Sequence, residues 1–243
     1  MSLGSIYILV GAVVAWSTVM IFDRSTAAAA EGAFRPVAAA DLCVTSGSMA
    51  SLPSGQLRIV APSVRAVMYG QNSRTAELAF TYRGPTDKTI RLSSGLQRRQ
   101  LGLKLRAQNG CNLVYVMWRI IPEQKVTVQV KYNPGLKRYA ECTNGGYRIM
   151  KPAKTGPVPT LSEGSSHRLR AALDGETLRV DVDDQPVWIG DLGSDAMTFD
   201  GPIGIRTDNV AMDFTLSVGS PALPTGQISA MTDRCHSVEP GGD

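Results

Sequence analysis

Alternating apolar and polar residues predict three consecutive strands near the middle of the chain, over residues 101–107, 112–120 and 125–132. Every second position is apolar in LGLKL at the start of the first segment and in VTVQV within the third. A period of two places one set of side chains on each face of a sheet. Asn109-Gly110 and residues 122–124 are turn sequences between the segments. We therefore expect an antiparallel meander at the centre of the fold.

Short strand patterns continue on both sides of this meander, separated by glycine and proline. They cover residues 42–44, 57–60, 64–69, 75–82, 89–92, 167–173, 177–182, 187–189, 201–206 and 212–218. No segment after the first 30 residues has the 3.6-residue period of a helix. Many short strands with this punctuation predict an all-β protein, a two-sheet antiparallel jelly-roll sandwich.

Residues 133–166 are the least regular part of the sequence, with Asn-Pro-Gly, Asn-Gly-Gly and three further prolines. This turn chemistry predicts a long ordered loop, with Cys142 as an attachment point. Long loops in compact domains are often functional. An insertion at the edge of the sandwich explains the same sequence, so both interpretations stay open.

The N-terminus contains 17 uncharged residues, 6–22, followed by small residues in STAAAA. This pattern is typical of a secretory signal peptide, although the first residues carry no Lys or Arg. The run also approaches the length of a membrane anchor, and a buried helix is the third alternative. We assign residues 1–30 to the signal or anchor, 31–41 to a linker, 42–235 to the sandwich and 236–243 to a tail. Both main alternatives predict an extracytoplasmic domain that is periplasmic, secreted or anchored in the membrane facing outward.

The four cysteines, Cys43, Cys111, Cys142 and Cys235, are consistent with that compartment, because an even number favours disulfides there. Three pairings are possible, and we favour Cys43–Cys235 with Cys111–Cys142. The first pair would join the two ends of the sandwich. The cysteine spacings match no zinc site.

The formal net charge of +4 is unevenly distributed. Residues 83–119 contain eight basic residues and one acidic residue, whereas residues 174–213 contain two and ten. One surface should therefore be basic and another acidic. An exported domain with such an acidic region is poorly suited to nucleic acid.

The second half of the chain carries a resemblance to a known family. The matching pieces are HRL at 167–169, VDVDD at 180–184, GPIGI at 201–205 and MDF at 212–214, together with GLKLR and YVMWR in the meander. They resemble the concanavalin A-like lectin/glucanase jelly roll, and more narrowly its laminin G-like or 3-keto-disaccharide hydrolase type. The resemblance covers residues 57–218. It implies a sandwich that binds sugars on one sheet, and the hydrolase type implies a sugar hydrolase.

The residues for catalysis are not evident. Glycoside hydrolysis requires two nearby carboxyl groups, and the Glu-x-Asp-x-x-Glu string of the glucanases is missing. Asp181 and Asp183 could share a strand face, but they lead into a turn at Asp184. His167 and His236 have no G-x-S-x-G context for a Ser–His–Asp triad. We therefore favour a non-catalytic binding module for a glycan or an anionic envelope component, with the sugar hydrolase as the alternative.

A calcium site is a weaker hypothesis, and no other cofactor is expected. Calcium binds six to eight oxygen ligands, and Asp183, Asp208 and Asn209 could supply some of them at the rim of the sandwich. Asp181 and Asp184 lie close in sequence. Ordinary turn residues explain the same pattern.

The polar face of the meander is the principal candidate site. If Val114, Val116, Trp118 and Ile120 point inward, then alternate residues from all three strands share the outer face. Guanidinium groups pair with carboxylate or phosphate in two parallel hydrogen bonds. We therefore predict an anionic ligand, with Arg106 and Arg119 as anion contacts and Tyr115 as a stacking surface. A solvated basic face is the alternative, and Trp118 and Trp188 are expected in the core. The predicted contact residues are Lys104, Arg106, Tyr115, Arg119, Gln129 and Lys131.

Overall fold

The computed structural model describes Met1, residues 34–70 and residues 72–219. Sixteen strands lie in the described part of residues 32–243. They are β1 (Phe34–Pro36), β2 (Leu42–Ser46), β3 (Ala50–Ser51), β4 (Leu57–Ile59), β5 (Ser63–Met68), β6 (Thr75–Pro85), β7 (Arg99–Leu105), β8 (Leu113–Ile121), β9 (Lys125–Lys131), β10 (Tyr147–Ile149), β11 (Lys154–Thr155), β12 (Ser166–Asp174), β13 (Thr177–Val182), β14 (Gln185–Asp191), β15 (Gly204–Asp208) and β16 (Val210–Gly219). Helix α1 (Tyr139–Cys142) and two 3-10 turns, Ala39–Asp41 and Ser194–Met197, complete the elements.

The strands form two antiparallel sheets. One has the order β11-β14-β13-β12-β6-β16-β4-β3, with β1 also paired to β16, and the other has the order β10-β9-β8-β7-β15-β5-β2. Apolar residues of both sheets fill one core between them, among them Leu78, Leu103, Val116, Leu169 and Phe214. The architecture is the all-β jelly-roll sandwich that the alternation predicts.

The central meander is confirmed as β7-β8-β9, with Leu103 opposite Val116 and Val116 opposite Val128 in register. Trp118 and Trp188 are buried in the core. Two local predictions were wrong. Residues 89–92 form no strand, because they belong to the loop between β6 and β7. The connection after β7 spans residues 106–112 and is longer than a tight turn. Within it, the side-chain oxygen of Asn109 accepts from the backbone N–H groups of Cys111 and Asn112.

Residues 133–166 are ordered by attachments to the seven-stranded sheet. Cys142 on α1 forms a disulfide with Cys111, which confirms that pairing. The fully buried Lys131 donates from Nζ to the carbonyl oxygens of Gly110 and Thr143, at 3.0 and 2.8 Å. Farther along, β10 pairs with β9 and β11 pairs with β14. The segment is therefore partly incorporated into both sheets.

Several predictions lie outside the described residues. They are the signal or anchor over residues 6–22, the tail at 236–243 and Cys235, so the Cys43–Cys235 pairing stays a prediction. Among the residues that the structure does describe, no helix has the length and apolar character needed to cross a membrane.

Candidate functional site

The outer face of the seven-stranded sheet carries most of the predicted site. Register places Tyr115 between Lys104 on β7 and Gln129 on β9, and Arg119 opposite Gln100. Alternation had placed Lys104, Tyr115, Arg119 and Gln129 on one face, while Val114, Val116 and Trp118 point into the core. The neighbouring strand β15 adds Arg206 to this face, two residues from the Gly204 that pairs with Lys104.

A pocket of about 270 Å³ lies on this face, between two loops. Its floor is formed by strand residues, and its walls are formed by the β6–β7 loop on one side and the β9–β10 connection with β10 on the other. Among the described residues, no Asp or Glu lines the pocket. The lining residues are Leu92, Ser93, Ser94, Leu96, Arg98, Gln100, Tyr115, Met117, Gln129, Asn144, Tyr147, Ile149 and Arg206.

Asp208, at the end of β15, organises the charged groups beneath the pocket. Its Oδ1 accepts from Arg65 at 2.6 Å, and its Oδ2 accepts from Arg206 Nε at 3.0 Å and from Gln100 Nε2 at 2.6 Å. Burial raises the pKa of the Asp208 carboxyl, but the charges of Arg206 and Arg65 and the hydrogen bonds from Gln100 and Arg65 outweigh burial and lower it to about 2. Asp208 is therefore ionised at neutral pH and holds Arg206 and Gln100 in place.

Arg206 extends from this network to the aromatic wall of the pocket. Its guanidinium carbon lies 4.9 Å from the centre of the Tyr115 ring, a cation–π contact. Tyr115 also stacks on Tyr147, with the ring centres 6.1 Å apart. Tyr115 is only 2% exposed. It therefore contributes an edge to the pocket, and Tyr147 is the more exposed ring of the pair.

Arg98 and Arg119 bring further positive charge to the same region. Burial lowers the pKa of Arg98, and the nearby charges of Arg119 and Arg206 lower it further against the opposing effect of Asp208. Burial also lowers the pKa of Arg119, whose Nε is buried without a hydrogen-bond partner. Within the described part of the chain, neither guanidinium forms an ion pair. The Oε1 atom of Gln100, in the pocket lining, is also buried and unpartnered.

The two loops above the floor are fixed by specific hydrogen bonds. Asn209 accepts from Ile90 N and donates to the carbonyl oxygens of Ile90 and Arg98, all at 2.7–2.8 Å, so it holds the β6–β7 loop at its middle and at its end. Ser93 donates to Asn144 Oδ1 across the pocket at 2.8 Å, and Tyr139 OH donates to Ser93 Oγ at 3.0 Å. The walls are thus connected to each other as well as to the sheet.

The structure divides the six predicted contact residues into three groups. Tyr115 and Gln129 line the pocket. Lys104 and Arg119 lie on the same face but are buried, and they are outside the lining. Arg106 and Lys131 direct their donors elsewhere.

Arg106 lies at φ 50°, and its guanidinium donates to the carbonyl oxygens of Ala196 and Phe199 and approaches Asp200 at 3.4 Å. Burial lowers its pKa, with Asp200 opposing the effect. Lys131 holds the loop at Gly110 and Thr143, as described above. These two cations connect parts of the fold, so the structure does not bring them to the pocket.

The structure does not bring the residues of the calcium hypothesis together. Asp208 belongs to the seven-stranded sheet and is occupied by two guanidinium groups, and Asn209 holds a loop. Asp183 lies at the β13–β14 turn of the other sheet and accepts from Arg168 N. Asp181 is paired with Arg179 at 2.9 Å. The described residues contain no cluster of three or more His, Cys, Asp or Glu side chains suited to a metal.

Sequence reasoning missed four residues that define the pocket: Arg98, Gln100, Arg206 and Tyr147. Arg206 lies far from the meander in sequence, and only the β15–β7 pairing brings it beside Tyr115. Gln100 precedes Leu101 and has the same parity as Lys104, so extending the alternation by one residue would have included it. Arg98 and Tyr147 lie at the junctions of loops and strands, where alternation carries no signal.

Comparison with known proteins identifies the fold. No protein-family model and no curated protein matches this chain. Among solved structures, the carbohydrate-binding module CBM66 from Bacillus subtilis is similar at a TM-score of 0.50 and 15% identity, covering 72% of this chain and 91% of that one. The metal-free carbohydrate recognition domain of Emp46p gives a TM-score of 0.47 and 10% identity, covering 73% and 87%. The chain shares a jelly-roll sandwich fold with CBM66. At these identities the similarity establishes the fold and no more.

Proposed function

We propose that this chain is an extracytoplasmic module that binds an acidic saccharide of the cell envelope in the outer-face pocket and does not hydrolyse it there. The observation that carries the proposal is the position of Arg98, which forms no ion pair within the described residues, beside Arg119 and Arg206 at a pocket lined by no carboxylate among those residues. Like charges in a partly buried site repel, and a bound carboxylate or phosphate offsets that repulsion. The resemblance to sugar-binding jelly rolls supports a saccharide as the carrier of this charge.

The remaining lining residues suit the neutral part of a sugar. Gln129 offers its amide group to hydroxyls, and Gln100, whose Nε2 donates to Asp208, has a buried Oε1 with no hydrogen-bond partner within the described residues. An acceptor left unsatisfied in this way costs about 1–3 kcal/mol, so a donating ligand hydroxyl would stabilise the site. Tyr147 and Met117 provide apolar surface for a ring face. The pocket therefore combines one charged contact with several neutral ones.

The volume of the pocket limits the size of the ligand. At about 270 Å³ it lies just below the usual range of roughly 300–1,000 Å³ for ligand pockets. We propose that it holds one or two rings of a longer chain.

Binding without hydrolysis is supported by the absence of acid groups in the described lining. Glycoside hydrolysis uses two carboxyl groups on either side of the scissile bond. Asp208 is the carboxylate beneath this pocket, and its two oxygens are taken by Arg65, Arg206 and Gln100. The sugar hydrolase implied by the sequence resemblance is therefore the less favoured function.

The test is a glycan array that contains acidic and neutral saccharides, probed with the parent protein and with Arg98→Ala. The expected result is binding to acidic members that weakens as salt is added, because screening reduces the charge contact. Arg98→Ala should lose most of the signal. Lys88→Ala is the matched control, since it removes one positive charge from the same loop at an exposed site outside the pocket. Equal losses of binding in both variants would show that the attraction is nonspecific and would contradict the proposal.

A further inference from the structure

Three side chains away from the pocket form a hydrogen-bonded series, Ser165–His167–Asp183. His167 Nδ1 lies 2.7 Å from Asp183 Oδ2, and His167 Nε2 lies 3.1 Å from Ser165 Oγ. The series is at the end of the nine-stranded sheet, where β12 begins and β13 ends. It does not depend on the proposed saccharide pocket, which lies on the outer face of the other sheet.

The local fold explains how the three residues meet. Ser165 immediately precedes β12 and His167 is its second residue, so the two side chains lie on the same side of the chain, two positions apart. Asp183 follows β13, the antiparallel neighbour of β12, in the turn that leads to β14. Asp183 N donates to Arg168 O, and Asp183 Oδ1 accepts from Arg168 N, so the carboxylate is fixed to the strand that carries the histidine.

This arrangement determines the direction of the hydrogen bonds. A carboxylate is only an acceptor, so Asp183 Oδ2 holds the proton of the imidazole at Nδ1. In the neutral imidazole, Nε2 is then the acceptor for the Ser165 hydroxyl. The hydrogen bonds thus run from a nucleophile to a base and from the base to a residue that orients it, as they do in serine hydrolases.

The imidazole is also held by packing. Its ring centre lies 5.4 Å from the Trp118 ring, in an edge contact, and 6.1 Å from the Phe80 ring. The His167 side chain is 13% exposed, whereas the Asp183 side chain is 39% exposed. His167 is therefore restrained on two sides and partly shielded from water, while the serine end is accessible, since Ser165 is only partly buried.

We propose that Ser165 is an activated nucleophile that accepts an acyl group from an activated ester, with His167 as the general base and Asp183 as the positioning residue. Ser165 Oγ attacks the ester carbonyl and its proton moves to His167 Nε2. The bond between the carbonyl carbon and the alkoxy oxygen breaks, and that proton passes to the leaving alkoxide, releasing an alcohol. The product is acyl-Ser165, and no oxidation or reduction occurs.

The expected acceleration is that of a base alone. The neighbouring backbone donors, Gly164 N and Ser165 N, are used by Tyr82 O and Ser162 O, so they are not available to a developing oxyanion. General-base assistance is worth about 10²–10⁴-fold. We expect Ser165 to react about 100-fold faster than an exposed serine without a base.

The experiment uses a fluorophosphonate probe, in which the serine oxygen displaces fluoride and forms a stable phosphonyl adduct. Labelling of the full chain is followed by intact mass, and the adduct is located by peptide mapping. The matched control is Ser166→Ala, which removes the adjacent, exposed serine that bonds to Thr81. It should label like the parent, whereas Ser165→Ala should not label at this peptide.

His167→Gln and Asp183→Asn test the activation. Asp183 has φ 50°, a conformation that asparagine also tolerates, so Asp183→Asn keeps the turn and changes the imidazole tautomer. Both variants should label at least tenfold more slowly while their urea midpoints show that they remain folded. An adduct on Ser165 that forms no faster than on Ser166, or at the same rate in Asp183→Asn and the parent, would overturn the proposal.

Discussion

At the scale of single residues, the seven-stranded sheet contains cations with different roles. Arg65 and Arg206 share Asp208, Arg106 and Lys131 bind backbone carbonyls, and Arg98, just before β7, lines the pocket without an ion pair among the described residues. Alternation predicted the face on which several of them lie. It could not predict their partners, because a long side chain selects its partner from loops that are distant in sequence.

Asp208→Asn should strongly destabilise the protein. It leaves Arg65 and Arg206, which are almost fully buried, without their anion, and breaking a buried ion pair in this way costs about 3–5 kcal/mol. Urea unfolding measures the loss. Asp213→Asn is the comparison, because Asp213 is also buried but its partners Arg58 and Arg83 are 45% and 49% exposed, so their guanidinium groups can turn to solvent and the loss should be smaller. Equal losses in the two variants would contradict the account of Asp208.

At the scale of elements, the strands were predictable and the loops were not. Period-two alternation located β7, β8 and β9 to within two residues at each end. The loop between β6 and β7 resembles a strand at residues 89–92, yet Asn209 holds its backbone with hydrogen bonds that replace sheet pairing. A side chain more than 100 residues away thus determines this wall of the pocket.

Asn209→Gly should release the β6–β7 loop without disturbing the sheet. Glycine accepts the φ of 57° at this position, so only the side-chain hydrogen bonds to Ile90 and Arg98 are lost. We expect faster tryptic cleavage after the exposed Arg91 and weaker saccharide binding, with a nearly unchanged thermal midpoint. Cleavage at the parent rate would show that the loop is held by other contacts.

The disulfide between Cys111 and Cys142 should stabilise both the fold and the other wall of the pocket. It closes a sequence separation of 31 residues, and bonds of this kind contribute about 2–4 kcal/mol. The double variant Cys111→Ser/Cys142→Ser should unfold at lower urea and bind saccharide less tightly, because Asn144 and Tyr147 follow the helix that the bond anchors. The parent treated with a reductant is the matched comparison, and unchanged stability in both would contradict this role.

At the scale of the whole molecule, the jelly-roll sandwich was predictable because almost every strand has its own alternating pattern. A single core between two sheets buries the apolar side chains of all these strands. The pocket was predictable only in part. Tyr115 and Gln129 follow from the parity of the meander, whereas Arg206 required knowledge of which strand lies beside β7. The series at Ser165 has no sequence motif and emerges only from the pairing of β12 with β13.

Stability should decrease in acid over a defined range. The pKa values of Asp208, Asp213 and Glu141 are each lowered to about 2 in the folded protein, against about 4 for free carboxyl groups. A carboxyl group with a lower pKa in the folded state stabilises it above the unfolded pKa, and this contribution is lost as pH falls toward the folded value. The free energy of unfolding should therefore fall between about pH 4 and pH 2. Asp208→Asn should show a smaller fall than the parent over this range, and an identical fall would contradict the assignment.

The central claim, that the outer-face pocket recognises the negative charge of a saccharide, is tested most directly by calorimetry on a matched pair of ligands. One is a disaccharide with a uronic acid, and the other is the same disaccharide with the carboxyl group reduced to an alcohol. Hydrogen bonds to a charged group contribute about 1.5–3 kcal/mol, so we predict that the reduced form binds at least about tenfold more weakly. The difference should disappear in Arg98→Ala. Equal affinity of the parent protein for the two ligands would contradict the account.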